Sequence, residues 1–147
     1  MVHVDGTPGP RRQGIAGLGV VIGTPRGRVL YWRYARAPAQ TSVEAEYQAV
    51  IKGLELVQQR YPGARVRCVS DCQVVVQQLT GQCAVRSERL KPLHARALVL
   101  ARQIGQVEFL AIARTWNRLA DALAWKGLVG RRDAAHVRRV KRENVKT

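Results

Sequence analysis

The spacing of the apolar residues changes near residue 40, and this change limits the folds open to the chain. Before it, a short extended segment at residues 2–5 precedes two β-rich runs, residues 14–23 and 28–34, which the turn sequence TPRG separates. After it, residues 43–60 follow the 3.6-residue period of an amphipathic helix that ends at the sequence YPG. The sequence therefore predicts an antiparallel three-stranded meander followed by a helix.

The remainder of the chain alternates between strand and helix patterns. Residues 64–70 and 107–113 are predicted strands, and the predicted helices cover residues 71–81, 88–104 and 118–129. Parallel strands need a crossover connection, so this alternation predicts that the two later strands join the sheet in parallel. The predicted fold class is α/β, with a five-stranded mixed sheet and helices on both of its faces.

The length and composition fit one folded domain. The chain has 147 residues, 46% of them hydrophobic, and no internal repeat or linker divides residues 1–129. Residues 130–147 are polar, basic and weakly patterned, so they are predicted to form a flexible tail.

Several sequence features predict a cytoplasmic protein. No run of about 18 apolar residues indicates a membrane-spanning helix, and the first residues lack the pattern of a secretory signal. The three cysteines form no CxxC pair, which is typical of reduced thiols. We therefore expect no membrane partner and no structural zinc.

The net charge indicates a polyanionic partner. Twenty-five Lys and Arg residues oppose ten acidic ones, which gives a formal charge of +15. A nucleic acid backbone is the simplest partner for such an excess. An arginine-rich composition without functional meaning is the alternative.

Two acidic residues lie on predicted apolar helix faces. Glu46 shares a face with Val50 and Val57, and Asp121 shares one with Trp125. A buried carboxylate is costly unless it is paired or binds a cation. Solubility therefore does not explain these two positions.

The polar face of the first predicted helix has ordinary explanations. Glu44 and Glu55 lie roughly opposite Glu46 and are predicted to be solvated. Thr41, followed three residues later by Glu44, forms a capping-box signature for the start of the helix.

Two further acids end predicted strands. Asp5 ends the first strand, and Asp71 follows the strand VRCVS, where Ser70 or Asp71 could equally cap the next helix. Two strand-end and two helix acids can meet at one end of a sheet, where four unneutralised carboxylates would repel each other. Divalent cations resolve this repulsion, and two ions about 4 Å apart can hold an attacking water and the leaving oxygen of a phosphodiester. The sequence therefore points to a metal-dependent nuclease.

Four stretches, in this order and structural context, resemble ribonuclease H type 1. They are VDGT at 4–7, TSVEAEYQAVIKGLE at 41–55, VSDCQVVVQQLTG at 69–81 and RTWNRLADALAWKGL at 114–128. The stretch SERLKPL at 87–93 resembles the compact branch found in archaea and many bacteria. The resemblance covers residues 1–129, which it identifies as a ribonuclease H-like catalytic domain.

The resemblance implies an activity and a metal site. The family cleaves the RNA strand of an RNA–DNA hybrid with two Mg²⁺ or Mn²⁺ ions, leaving 5′-phosphate and 3′-hydroxyl ends. Asp5, Glu46, Asp71 and Asp121 match its four metal-binding carboxylates. By this resemblance, Asp5 bridges both ions, Glu46 and Asp71 lie on one side, and Asp121 lies on the other.

The resemblance also implies a set of substrate contacts. Gln73 matches a position that meets the minor groove, where the 2′-hydroxyls that distinguish RNA from DNA are exposed. We expect a monomer that needs no protein partner. The full set of expected substrate contacts is Gly6, Thr7, Thr41, Ser42, Gln73, Arg114 and Asn117.

The chain departs from the family pattern before the helical glutamate. Relatives often carry paired asparagines where this chain has Ser42 and Val43, and Val43 offers no hydrogen-bonding group. Broader specificity, including double-stranded RNA, is therefore one alternative to ribonuclease H activity. A catalytically silent nucleic-acid-binding module of the same fold is another alternative.

Two further family features are absent from the sequence. No histidine lies at residues 105–120, where many relatives have one, so Arg114 or Arg118 is a candidate for its role. The basic protrusion of larger relatives is also missing, and four residues are candidates to replace part of it: Arg86, Arg89, Lys91 and Arg96. Trp125 is expected in the core, and Trp116 is a candidate substrate contact.

Overall fold

The computed structural model describes residues 1–9 and 14–129 and the backbone of Ala134–Val137. The strands are β1 (Val2–Pro8), β2 (Ile15–Gly23), β3 (Val29–Pro38), β4 (Val66–Ser70), β5 (Val107–Ala111) and β6 (Ala134–Val137). The helices are α1 (Ser42–Arg60), α2 (Gln73–Leu79), α3 (Lys91–Ile104) and α4 (Arg118–Val129), and a 3₁₀ turn covers Arg114–Trp116. Within the described residues, none of these helices has the length and apolar character needed to cross a bilayer.

The sheet has the mixed topology that the sequence predicts. Its strand order is β5-β4-β1-β2-β3-β6. Strands β1, β2 and β3 pair antiparallel, whereas β4 pairs in parallel with both β1 and β5. The predicted five-stranded mixed sheet is therefore confirmed.

A sixth strand extends the sheet beyond the prediction. Strand β6 pairs antiparallel with β3, with the backbone of Ala134 opposite that of Tyr34. It lies within residues 130–147, for which the sequence predicted a flexible tail, and its four residues are too few to give a strand pattern. The rest of that segment lies outside the described residues.

The hairpin between β2 and β3 has the predicted turn. The backbone N–H of Thr24 donates to the carbonyl of Arg28, and that of Gly27 donates to the carbonyl of Thr24. Gly27 has a φ of 87°, a conformation that favours glycine. The turn TPRG therefore fixes the register of the two longest strands.

The sheet is covered by helices on both faces, as predicted. Helix α1 packs on one face, where Gly53 lies against Val2, Val4 and Val20. Helix α4 packs on the opposite face, where a Cβ at Gly19 would collide with the carbonyl oxygen of Ala120. The core lies mainly on the α1 side, with α3 packed outside α1 through residues such as the fully buried Leu100.

The start of α1 differs from the prediction in two respects. The Thr41 half of the capping box is present, because the backbone N–H of Glu44 donates to Oγ of Thr41 at 3.1 Å. The carboxylate of Glu44 accepts from the backbone N–H of Gln40 rather than from that of Thr41. The prediction that Glu44 is solvated is wrong, since only 5% of the residue is exposed. An ion pair with Arg89, a residue far along the chain, compensates for burying the carboxylate. The buried stripe of Glu46, Val50 and Val57 is as predicted.

Candidate active site

Three of the four predicted carboxylates converge where β1, α1 and β4 meet. The prediction that Asp5 ends the first strand is wrong, because β1 continues to Pro8 and pairs with β2 on both sides of Asp5. Asp5, Glu46 and Asp71 each offer a carboxylate oxygen, and these oxygens lie within 4.8 Å of one another. Asp121 lines the same cavity, whose volume is about 300 Å³. The structure therefore brings together acids that lie up to 116 residues apart in the sequence.

A glycine lets β1 approach α1 closely enough for this convergence. A Cβ at Gly6 would collide with the carbonyl group of Ala45, so no larger residue fits without a shift of the backbone. At this distance, the backbone N–H of Gly6 donates to Oε1 of Glu46 at 3.3 Å. The carboxylate of Glu46 is thereby fixed beside that of Asp5.

The second oxygen of Glu46 is held by the end of β4. Oγ of Ser70 donates to Oε2 of Glu46 at 3.1 Å, and it accepts from the backbone N–H of Cys72 at 3.0 Å. Ser70 is 2% exposed, so this contact is protected from water. From the sequence, Ser70 was a candidate only for capping the next helix, and its contact with Glu46 was not predicted.

Asp71 offers a free ligand atom to the cavity. Its Oδ2 is buried and has no hydrogen-bond partner among the described residues. An unsatisfied buried oxygen is costly unless something occupies the space in front of it. The N-cap of α2 is Cys72, and no side-chain capping bond forms there. Asp71 therefore does not serve as the helix cap that was its alternative role.

Asp121 lies in the first turn of α4, and its surroundings differ from the prediction. The backbone N–H of Asp121 donates to the carbonyl of Asn117 at 3.0 Å. The side chain of Asp121 is half-buried, and Trp125 on the next turn is 53% exposed. The prediction of Trp125 as a core residue is therefore wrong, because small residues, Ala120 and Ala124, form the face of α4 that packs closely on the sheet.

The acid cluster disfavours its own ionisation. Burial raises the pKa of Asp5 well above the usual 3.8, and the neighbouring Glu46, Asp121 and Asp71 raise it further. Burial also raises the pKa of Glu46, although the bonds from Asp5, Gly6 and Ser70 lower it in part. Carboxylates held this close need positive charge before all of them can ionise.

The residues of the cluster fit a hard divalent cation. All of the side chains that converge offer carboxylate oxygens, the ligand type that Mg²⁺ and Mn²⁺ prefer. A cation would also give a partner to Oδ2 of Asp71, which has no hydrogen-bond partner among the described residues. The site can therefore hold metal through Asp5, Glu46 and Asp71, with Asp121 on the wall of the cavity.

The predicted substrate contacts fall into two groups. Gly6, Thr7, Ser42 and Arg114 line the acidic cavity itself. Gln73 is exposed at the first position of α2, directly after the cluster. Two residues that the sequence analysis did not single out, Pro8 and Cys72, also line the cavity.

Two other predicted contacts, Thr41 and Asn117, make hydrogen bonds within the fold. Thr41 caps α1. Asn117 is 1% exposed, and its Nδ2 donates to the carbonyl of Val4 at 2.8 Å. This bond anchors the start of α4 to β1. Trp116, one residue earlier, is 78% exposed.

A comparison with protein families agrees with this arrangement. Residues 3–127 match the family model described as reverse transcriptase-like. The chain belongs to the reverse transcriptase-like family. The match covers every element from β1 to α4 and therefore includes all four carboxylates.

Solved structures place this family member among the ribonucleases H of type 1. RNase H1 from the halophilic archaeon Halobacterium salinarum NRC-1 is 26% identical with a TM-score of 0.80, covering 87% of this chain and 96% of that one. LC11-RNase H1 in complex with an RNA/DNA hybrid is 27% identical with a TM-score of 0.80, covering 87% and 95%. The predicted resemblance to ribonuclease H type 1 and its fold is confirmed.

A mycobacterial protein is similar in both sequence and structure. The bifunctional protein Rv2228c of Mycobacterium tuberculosis is 29% identical over 120 residues, which are 81% of this chain but only 31% of that protein. Its N-terminal RNase H domain, solved as a fusion with maltose-binding protein, has a TM-score of 0.76 and covers 87% of this chain and 91% of the solved chain. The chain therefore spans about a third of the curated relatives it matches.

Proposed function

We propose that the chain is a metal-dependent endoribonuclease that hydrolyses the RNA strand of RNA–DNA hybrids. The observation that carries this proposal is the approach of Asp5, Glu46 and Asp71 within 4.8 Å, with Asp121 on the wall of the same cavity. A protein that only binds nucleic acid gains nothing from negative charge facing phosphates. The cluster therefore supports catalysis over simple binding.

The residues of the cavity have distinct tasks in this proposal. Divalent cations, when bound, would activate a water nucleophile and stabilise the charge that develops on the phosphate. Asp5, Glu46, Asp71 and Asp121 would hold these cations, and Gly6 would keep Glu46 in place through its backbone N–H. Arg114, at the rim of the cavity, would attract the phosphate group.

The substrate assignment rests on charge and on a neighbour. The formal charge of +15 favours a nucleic acid, and binding should weaken as salt increases. The neighbour LC11-RNase H1 was solved with an RNA/DNA hybrid. Gln73, exposed beside the cluster, and Ser42 and Thr7, at the cavity, are the polar side chains proposed to contact the hybrid.

Four finer assignments belong to the same proposal. Mg²⁺ or Mn²⁺ would be the metal, with two ions bound during catalysis. The protein would act as a monomer without a required protein partner, and residues 1–129 would form the catalytic domain. It would work in the cytoplasm, in keeping with three free cysteines.

The test is cleavage of a labelled RNA–DNA hybrid in the presence of Mg²⁺, Mn²⁺ or EDTA. Single-stranded RNA, double-stranded RNA and double-stranded DNA of matched sequence serve as controls. We expect metal-dependent cleavage of the RNA strand in the hybrid, with 5′-phosphate and 3′-hydroxyl products. Binding of the hybrid without cleavage under every metal would reject the proposal and favour a binding module.

One structural observation favours a second candidate substrate. Val43 is half-buried and packs against the main hydrophobic core, so this position offers no polar contact to the hybrid. Weaker discrimination between the two strands would permit some cleavage of double-stranded RNA. The double-stranded RNA control measures this activity directly.

A further inference from the structure

Glu44 is a buried carboxylate that takes no part in the acid cluster. Its Oε1 accepts from Nε of Arg89 at 2.6 Å, and its Oε2 accepts from the backbone N–H of Gln40 at 2.6 Å. The residue is 5% exposed, whereas the side chain of Arg89 is 63% exposed. The ion pair therefore joins a fixed carboxylate to an accessible guanidinium.

The pair connects two separate parts of the proposed substrate surface. Glu44 lies in the first turn of α1, two residues after Ser42, which lines the acidic cavity. Arg89 lies in the connection between α2 and α3, residues 80–90, which also carries the exposed Arg86. Both arginines are exposed, and both are candidates to replace part of the basic protrusion of larger relatives.

The connection between α2 and α3 has few other long-range bonds. Its remaining hydrogen bonds among the described residues are local, such as the N–H of Cys83 to the carbonyl of Gln77 and the N–H of Leu90 to the carbonyl of Ser87. The pair of Arg89 and Glu44, by contrast, spans 45 residues. Loops held by few contacts are the most easily displaced parts of a fold.

The charge balance supports a role in substrate binding. An unpaired carboxylate at this end of α1 would repel the phosphates of a nucleic acid. Arg89 neutralises Glu44 through the close contact between its Nε and Oε1 of the carboxylate. Because Arg89 is largely exposed, part of its guanidinium remains available to solvent or to a phosphate.

We propose that the ion pair of Glu44 and Arg89 holds the connection at residues 80–90 against the start of α1, so that its basic side chains and the cavity bind the hybrid as one preformed surface. Glu44 acts as a positioning residue, and the inference rests on the proposed nucleic acid substrate. A preformed surface binds more tightly because less freedom is lost on binding.

Two substitutions separate positioning from simple charge attraction. Glu44→Gln keeps an acceptor for the N–H of Gln40 but removes the ion pair, and Arg89→Gln removes the guanidinium. Glu55→Gln is the matched control, because it also removes an acid of α1 that pairs with an arginine of α3, Arg96, at 3.7 Å. Glu44→Gln and the control raise the net charge equally, so a difference between these two variants does not come from long-range attraction to the nucleic acid.

The measurements are KM and kcat for a labelled hybrid, binding of the same hybrid in EDTA by fluorescence anisotropy, and hydrogen exchange of residues 80–90. We expect Glu44→Gln to raise KM about fivefold over the control, with kcat unchanged and faster exchange in residues 80–90. Arg89→Gln should raise KM to a similar extent, and the double variant should cost no more than either single change.

Other results would overturn the proposal. Equal KM and equal binding for Glu44→Gln and Glu55→Gln would show that the pair positions nothing. A higher KM for Arg89→Gln alone would make Arg89 a phosphate contact without help from Glu44. If the unaltered protein binds the hybrid without cleaving it, the proposed function fails, whereas the binding comparison still decides this inference. No binding by the unaltered protein rejects both.

Discussion

The hydroxyl group of Ser70 lies between Glu46 and the start of α2. It donates to Oε2 of Glu46 at 3.1 Å and accepts from the backbone N–H of Cys72 at 3.0 Å. Asp71 lies between Ser70 and Cys72 in the sequence. The buried hydroxyl of Ser70 therefore fixes the spacing of two proposed metal ligands, Glu46 and Asp71. Replacing a side chain that orients a ligand in this way typically lowers metal affinity by about 10- to 100-fold.

Replacement of Ser70 by alanine should weaken metal binding. The Ser70→Ala variant leaves Oε2 of Glu46 and the N–H of Cys72 without this partner. We expect the Mg²⁺ concentration for half-maximal cleavage to rise about tenfold. The free energy of unfolding should fall by about 1 to 2 kcal/mol, because the variant cannot form these buried hydrogen bonds. A Mg²⁺ titration of activity and a urea unfolding curve measure the two effects.

Thr80→Ala is the control for Ser70→Ala. It also removes a hydroxyl group that bonds to backbone, in this case to the carbonyl of Val76, but it lies at the far end of α2 from the cavity. An unchanged Mg²⁺ titration in Ser70→Ala would show that Glu46 keeps its orientation without the serine.

Replacement of Asp71 by asparagine should abolish turnover and preserve binding of the hybrid. The change removes one charge with little change in volume, and it affects the oxygen that has no partner within the described residues. We expect cleavage to fall by more than about a hundredfold, because losing a metal ligand costs more than altering its support. Cleavage and anisotropy assays on the same hybrid separate the two effects. Glu108→Gln, on an exposed acid of β5, is the control, and retained cleavage would exclude Asp71 from the metal site.

Replacement of Asp5 by asparagine should stabilise the metal-free protein at neutral pH. The pKa of Asp5 is raised from its usual value of 3.8 by burial and by the other acids, so the folded state binds more protons than the unfolded state above that pH. The stability of the unaltered protein in EDTA should therefore fall as pH rises from about 4 through neutrality. At pH 8, Asp5→Asn should be more stable than the unaltered protein by about 1 to 3 kcal/mol.

Urea unfolding at several pH values, with EDTA or Mg²⁺, measures this dependence. At about pH 3 the two proteins should differ little, because Asp5 is then largely protonated in both the folded and the unfolded state. Mg²⁺ should stabilise the unaltered protein above neutral pH and have less effect on Asp5→Asn. Stability of the metal-free protein that rises with pH over this range would contradict the raised pKa.

Local patterns in the sequence were sufficient for most of the fold. Each predicted strand and helix is present, because the apolar period, the turn TPRG and the capping residue Thr41 act within a few residues. The convergence of Asp5, Glu46 and Asp71 was also predictable, because an acid that interrupts the apolar pattern of a strand or lies on a buried helix face needs a partner. These signals need no knowledge of distant contacts. The position of Asp5 within its strand was not predicted, since β1 gains three residues by pairing with β2.

Features that depend on distant partners could not be predicted. The burial of Glu44 depends on Arg89, 45 residues later, and the anchoring of Asn117 depends on the carbonyl of Val4. The exposure of Trp125 follows from the close approach of α4 to β2. The small residues of α4 allow this approach, but their spacing in the sequence does not predict it. Strand β6 is too short for a periodic pattern and forms only because β3 offers an edge.

Removal of residues 138–147 should weaken hybrid binding without affecting the acid cluster. This segment carries five basic residues and one acidic residue, and the deletion retains β6 at Ala134–Val137. For every phosphate that the shortened protein no longer neutralises, the slope of log K against log salt should decrease in magnitude by about 1. We therefore expect lower affinity at low salt, a flatter salt dependence and an unchanged kcat at saturating hybrid. Anisotropy titrations at several KCl concentrations measure the slope, and an unchanged slope would show that these residues do not contact the nucleic acid. A variant with all five basic residues replaced by glutamine separates loss of charge from loss of chain.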